Sequence, residues 1–139
     1  MATFTKFNSF VEALAEKVHN LGSDTLKVAL TNTAPNATDT QLSNITQISA
    51  GNGYTTGGST TTQSSSAQSS GTYKLVLGDV VFTASGGAMA QFRYAVLYNG
   101  TATNNELIGS WDYGSAVDLA SGETFTFDCD PTSGVIQLT

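Results

Sequence analysis

Basic residues are scarce in this chain. Five Lys and Arg stand against eleven Asp and Glu in 139 residues, a formal charge of −6. Nucleic acids and anionic membranes are held by clustered Lys or Arg. Here Lys6, Lys17, Lys27, Lys74 and Arg93 are scattered along the sequence. Neither nucleic acid nor a membrane is expected as a partner. Long apolar runs are missing too; none approaches the roughly 20 residues that cross a bilayer. The opening Met1-Ala2-Thr3-Phe4-Thr5-Lys6 has neither the charged nor the apolar region of a secretory signal, so folding in a cytoplasm is expected.

Cysteine and histidine occur once each. With Cys129 alone no internal disulfide forms, and a His/Cys metal site lacks its ligands. Asp128 and Asp130 flank the thiol and raise its pKa, the opposite of what a nucleophile needs. Cys129 therefore reads as a packing residue. His19 lies off the apolar stripe of a predicted helix, as a solvated or partly packed residue. No Gly-x-Ser-x-Gly elbow accompanies it, so a hydroxyl nucleophile has no base. Gly57-Gly58 and Gly86-Gly87 precede no helix signal and no nearby lysine, which makes them turn glycines rather than phosphate cradles.

Carboxylates remain: Asp112, Asp118, Glu123, Asp128 and Asp130 crowd the last third. Two facing each other could hydrolyse a glycoside. No Asp-x-Asp-x-Asp-Gly loop supports calcium. Pro131 and Ser133-Gly134 put Asp128 and Asp130 near a strand end, where Asp bonds its own backbone. Turn formation and solubility are their expected roles. The expectation is a protein that is not an enzyme, with no cofactor and no metal.

What is abundant is Gly, Ser, Thr, Asn and Gln, a mixture suited to short strands and many turns. One helix is predicted over 7–21, from the stripe Phe7, Phe10, Val11, Leu14, Val18 and Leu21. Ser9 and Glu12 have capping-box spacing, and Gly22 is placed to end the helix. So short a helix must dock on its own sheet or on a neighbouring subunit. The segment 26–50 holds a half-buried strand, Leu26-Val28-Leu30, then a break at Pro35 and a short helical turn over Leu42, Ile45 and Ile48. The segment 51–72 is almost wholly polar and reads either as a flexible loop or as a polar edge strand; partial strand character is favoured. Strand runs fill 73–139. The longest, Gln91–Tyr98, is apolar on both faces, as in a doubly covered central strand. Asn99-Gly100 carries a hairpin signal, which Thr101–Asn105 would lengthen into an irregular connection.

Roughly seven or eight strands, about 8–12 residues apart, predict a single mainly β domain over 1–139. Its expected form is an antiparallel β-sandwich or barrel, jelly-roll-like, with one N-terminal amphipathic helix. The aromatics Phe92, Tyr94, Tyr98, Trp111 and Tyr113 fall on two neighbouring strands. They read as core, or as a face that binds sugar or protein.

The segment from Phe92 to Gly109, with its Arg-Tyr-Ala-Val strand and Leu107-Ile108-Gly109 run, resembles small virion proteins of tailed bacteriophages. Lys27–Asn32 followed by Pro35, Gly51-Asn52-Gly53-Tyr54, Asp79–Ala84 and Trp111–Gly114 are similar as well, in register from about Lys27 to the C-terminus. The resemblance implies a β-rich, non-enzymatic particle component that decorates or cements the capsid, or sits in the tail or fibre apparatus. It implies virion localisation and, as partners, the major capsid protein or tail proteins. A homo-oligomer, a trimer by this reading, is expected. The runner-up is a receptor- or carbohydrate-binding module. Phe7, Phe10, Leu14, Tyr54, Tyr94, Tyr98, Trp111 and Tyr113 are the candidate interaction residues.

Overall fold

A computed structural model describes residues 2–139. The order is β1 (Thr3–Lys6), α1 (Ser9–Ala15), β2 (Leu26–Thr31), a 3-10 turn (Leu42–Asn44), β3 (Ser59–Thr60), β4 (Gln63–Ser69), β5 (Thr72–Leu77), β6 (Val80–Thr83), β7 (Met89–Asn99), β8 (Leu107–Leu119), β9 (Thr124–Phe127) and β10 (Ile136–Leu138). Three sheets form, β1-β8-β7-β2-β3, β10-β5-β4 and β6-β9, and every pair is antiparallel. The chain is mainly β with one helix. Each sheet ends in open edge strands, so none closes into the barrel that was one of the two expected forms.

All three sheets feed one core. Leu26, Val28 and Leu30 of β2 meet Leu75 and Leu77 of β5, Phe82 of β6, Phe127 of β9 and Ile136 of β10. On β7 the core face is Phe92, then Ala95 and Leu97, a change of parity that a bulge beside Tyr94 permits. A second, smaller cluster joins Phe7, Ala29, Ile45, Val96, Tyr98 and Leu107. It covers the other face of β2 and β7. Ala29 and Thr31 are therefore buried along with their neighbours, and β2 is not the half-exposed strand its alternation suggested. The central character of β7 is as expected: Ala95 to Asn99 are all buried between β2 and β8.

The helix is much shorter than its apolar stripe. Ser9 is its first residue rather than its cap, Asn8 stands at the N-cap without a side-chain bond, and no capping box forms. The stop comes at Lys17, whose φ is +69°. The Val18 amide donates to the Ala13 carbonyl at 2.8 Å and the Lys17 amide to Leu14 at 3.4 Å, the paired bonds of a Schellman motif. Lys17 takes the position that glycine usually holds. Beyond it Val18 is exposed and Leu21 is buried from a loop, so the later apolar spacing is not helical. Phe10 anchors the helix to the chain's own core. A side chain in left-handed backbone costs about 1 kcal/mol that glycine avoids. Lys17→Gly is expected to stabilise the protein by about 0.5–1 kcal/mol in urea denaturation, since only the unfolded chain's extra freedom opposes the gain.

The polar segment 51–72 is ordered around two strands. β3 pairs with β2, and β4 pairs with β5 along a bulged register. Tyr54 pins its start: the hydroxyl donates to Gln47 Oε1 at 2.7 Å and accepts from the Leu30 amide at 3.2 Å. The Asn99-Gly100 pair makes no tight hairpin. β7 continues through Asn99, and residues 100–106 form the longer connection to β8.

Candidate functional site

The eight aromatic and apolar residues singled out by sequence do not form one surface. Phe7, Phe10, Tyr54 and Tyr98 are each 2–3% exposed and belong to the interior. The tyrosine hydroxyls are spent internally as well: Tyr98 donates to the Gly57 carbonyl at 2.6 Å, as Tyr54 does to Gln47. These four are corrected from contact residues to packing residues. Leu14 is half-buried on the helix. Tyr94 is half-buried beside the Arg93 guanidinium, 5.3 Å from its ring. Trp111 and Tyr113 are brought together, and they define the site.

Both lie on one face of β8, two residues apart, and both meet β9. Trp111 packs edge-on to Phe127 at 4.8 Å, and Tyr113 edge-on to Phe125 at 4.9 Å. Such pairs contribute about 0.5–1.5 kcal/mol beyond their area. Directly opposite Trp111 in the register is Phe4 of β1, its ring 4.8 Å away. Gly109 makes this possible, because a Cβ there would run into the Phe4 ring. Phe4 stays 41% exposed. The sequence reading gave residues 3–6 no role; the available signal was the alternation Thr3-Phe4-Thr5, too short to separate from a disordered start.

Phe4, Trp111, Tyr113 and Phe127 line a cleft of about 650 Å³ together with Ala2, Asp128, Cys129, Asp130, Pro131 and Val135. Asp130 Oδ1 accepts from the amides of Thr132 at 2.7 Å and Ser133 at 3.1 Å. Those bonds hold its carboxyl below the usual range. Burial pushes the Tyr113 hydroxyl up, with Cys129 and Asp128 adding to it, so the phenol stays protonated. Burial likewise raises the Cys129 thiol to about 12, reinforced by Asp79 and Asp128. A thiol so protected reacts poorly. Cys129 is therefore expected to resist a thiol-specific disulfide reagent at pH 8 in the native state and to titrate as one thiol in denaturant; rapid native labelling would contradict its placement.

Asp112, Asp118 and Asp79 have defined structural partners. Asp112 takes a bidentate ion pair from Arg93, at 2.7 and 3.0 Å, and accepts the Gly114 amide. The Arg93 bond and that amide lower its carboxyl below the ordinary value. Asp118 accepts from Gln91, and Asp79 from the Cys129 amide.

His19 departs from its expected surface position: it is 4% exposed and stacks on Phe10 at 5.5 Å. Asn99 Nδ2 donates to its Nδ1 at 3.1 Å, so the ring proton sits on Nε2, which is buried without a partner. Desolvation lowers its pKa, against the opposing pull of Glu106 and Asp24. The unfolded chain thus binds a proton that the folded chain refuses. Stability is full above about 6.5, the unfolded value, and falls as the pH drops below it towards the lower folded value. In urea denaturation at pH 7.5 and 5.5, His19→Gln is expected to flatten that fall.

Compared with protein-family models, with curated proteins and with solved structures, the chain matches none.

Proposed function

We propose that the chain is a non-enzymatic structural protein of a tailed-phage virion, acting as a decoration or cement protein on the major capsid shell. Its sheets would form a jelly-roll-like sandwich, a reading supported by the core that all three share. The observation that carries the functional reading is the number of open strand edges. β1 is exposed along all four residues, and β4 is an edge strand of Gln, Ser and Ala. Edges of this kind accept a strand or loop from a neighbour, and many weak copies add up on a symmetric shell. Most motifs behind the phage resemblance also fall on fold-bearing strands, β2, β6, β7 and β8, where shape is at stake, while Gly51-Asn52-Gly53-Tyr54 forms a turn. A trimer at threefold positions is part of the proposal. Particles assembled without the chain are expected to release their genome at lower temperature, and adding the purified chain is expected to restore them. Unchanged particle stability would oppose the cement role.

A specific observation favours a second reading, a receptor- or carbohydrate-binding module of the tail or fibre: the partly exposed aromatic cleft around Phe4, Trp111 and Tyr113. In that case the purified chain blocks adsorption to host cells and leaves capsids unbound.

A further inference from the structure

The cleft at Trp111 combines two features that select a ligand by charge. One wall is aromatic: Phe4, Trp111 and Tyr113 line it, with Phe127 behind. The lining also includes Asp128 and Asp130, and among the described residues no Lys, Arg or His lines the space. The nearest cation shown is Lys74, whose Nζ donates to the Thr132 carbonyl at 3.2 Å behind the Asp130 turn. Asp130 is tied to backbone amides, and the Asp128 side chain has no hydrogen-bond partner among the described residues. Aromatic faces attract cations, and most strongly those with weak hydration such as alkylammonium groups. Carboxylates beside the rings add direct attraction, and the chain's charge of −6 brings cations towards it. The same lining repels phosphates, sulfates and acidic sugars.

We propose that this cleft binds an organic ammonium group, held against Phe4, Trp111 and Tyr113 and neutralised by Asp128. Asp130 and its turn shape the wall. A volume of about 650 Å³ holds a choline-sized head with room for the molecule that carries it. The assignment stands on the cleft alone and is independent of where on a particle the chain resides.

The chain contains one tryptophan, Trp111, so its fluorescence reports directly on the cleft. The experiment titrates the full chain with choline chloride, with ethanolamine hydrochloride, and with 3,3-dimethylbutanol, the uncharged isostere of choline, at fixed ionic strength. A saturable change is expected from at least one amine at roughly millimolar concentration, with the isostere at least about tenfold weaker. Whether choline or ethanolamine binds better distinguishes methylated from primary ammonium sources. Asp128→Asn and Phe4→Leu are each expected to weaken amine binding by about fivefold or more while leaving the melting temperature within a few degrees. Either variant serves if the other unfolds. Equal binding of the neutral isostere would overturn the proposal, as would absence of any saturable amine response. So would saturation by methyl pyranosides where both amines are silent.

Discussion

Replacing Gly58 with alanine is expected to cost about 3–5 kcal/mol, enough to leave much of the chain unfolded. Gly58 sits just before β3, with φ at +72°, where the chain folds down onto β2. A methyl group there would meet the Val28 carbonyl carbon at 2.6 Å and the Ala29 Cα at 2.8 Å. Both belong to the backbone of a strand buried on two sides, which cannot give way as a flexible side chain can. The segment cannot swing out cheaply either. Tyr98 holds the Gly57 carbonyl, and Gln47 Oε1 accepts the Gly57 amide at 2.7 Å. Circular dichroism and urea titration check this, with Gly71→Ala as the comparison. Gly71 also has positive φ but nothing within 4 Å, so its replacement is expected to cost only about 1 kcal/mol.

Asn99→Ala is expected to destabilise by about 2–4 kcal/mol, because one fully buried amide satisfies several groups at once. Its Oδ1 accepts the amides of Thr101 at 2.9 Å and Ala102 at 3.1 Å, shaping the start of the 100–106 connection. Its Nδ2 donates to Asp24 Oδ2 at 2.6 Å and to His19 Nδ1. Two donors on one side and two acceptors on the other fix the orientation of the amide. Asn99→Asp tests the donor half alone. It keeps an acceptor for the two backbone amides but sets a carboxylate against Asp24. The loss at pH 7 is therefore expected to exceed that of Asn99→Ala. Equal losses for both variants would mean that the network is not what holds this corner.

The strands were legible where period two coincided with turn residues on both sides. β5, β6 and β9 follow from Leu, Val and Phe runs bounded by Gly78-Asp79, Ser85-Gly86-Gly87 and Ser121-Gly122, and β7 from a long run apolar on both faces. The helix was overextended because Val18 and Leu21 happen to continue its spacing. No residue preference marks Lys17 as the left-handed stop; the cost of that conformation is accepted so that the chain can turn His19 and Leu21 inward. Asn99-Gly100 misleads for a related reason. The asparagine serves as a buried side-chain hub rather than as a positive-φ turn residue, and that choice depends on Asp24 and His19, some 75 to 80 positions away.

The site was legible by half. Trp111 and Tyr113 were found because aromatics at i and i+2 on a strand share a face. Tyr54 and Tyr98 belong to the same residue type, yet their hydroxyls find partners inside, which only the path of 47–58 across β2 and β7 decides. Phe4 was missed because its exposure and its partner depend on β1 pairing with a strand more than a hundred residues later.

The most direct test of the virion proposal is cryo-electron microscopy of particles purified from cells that express the chain together with the genes flanking its own. The account predicts discrete density for this mainly β fold at symmetric positions on the outer capsid surface, contacting the major capsid protein through an open strand edge. Fully sharpened capsids bare of that density, with the chain left soluble or found only at the tail tip, would contradict it.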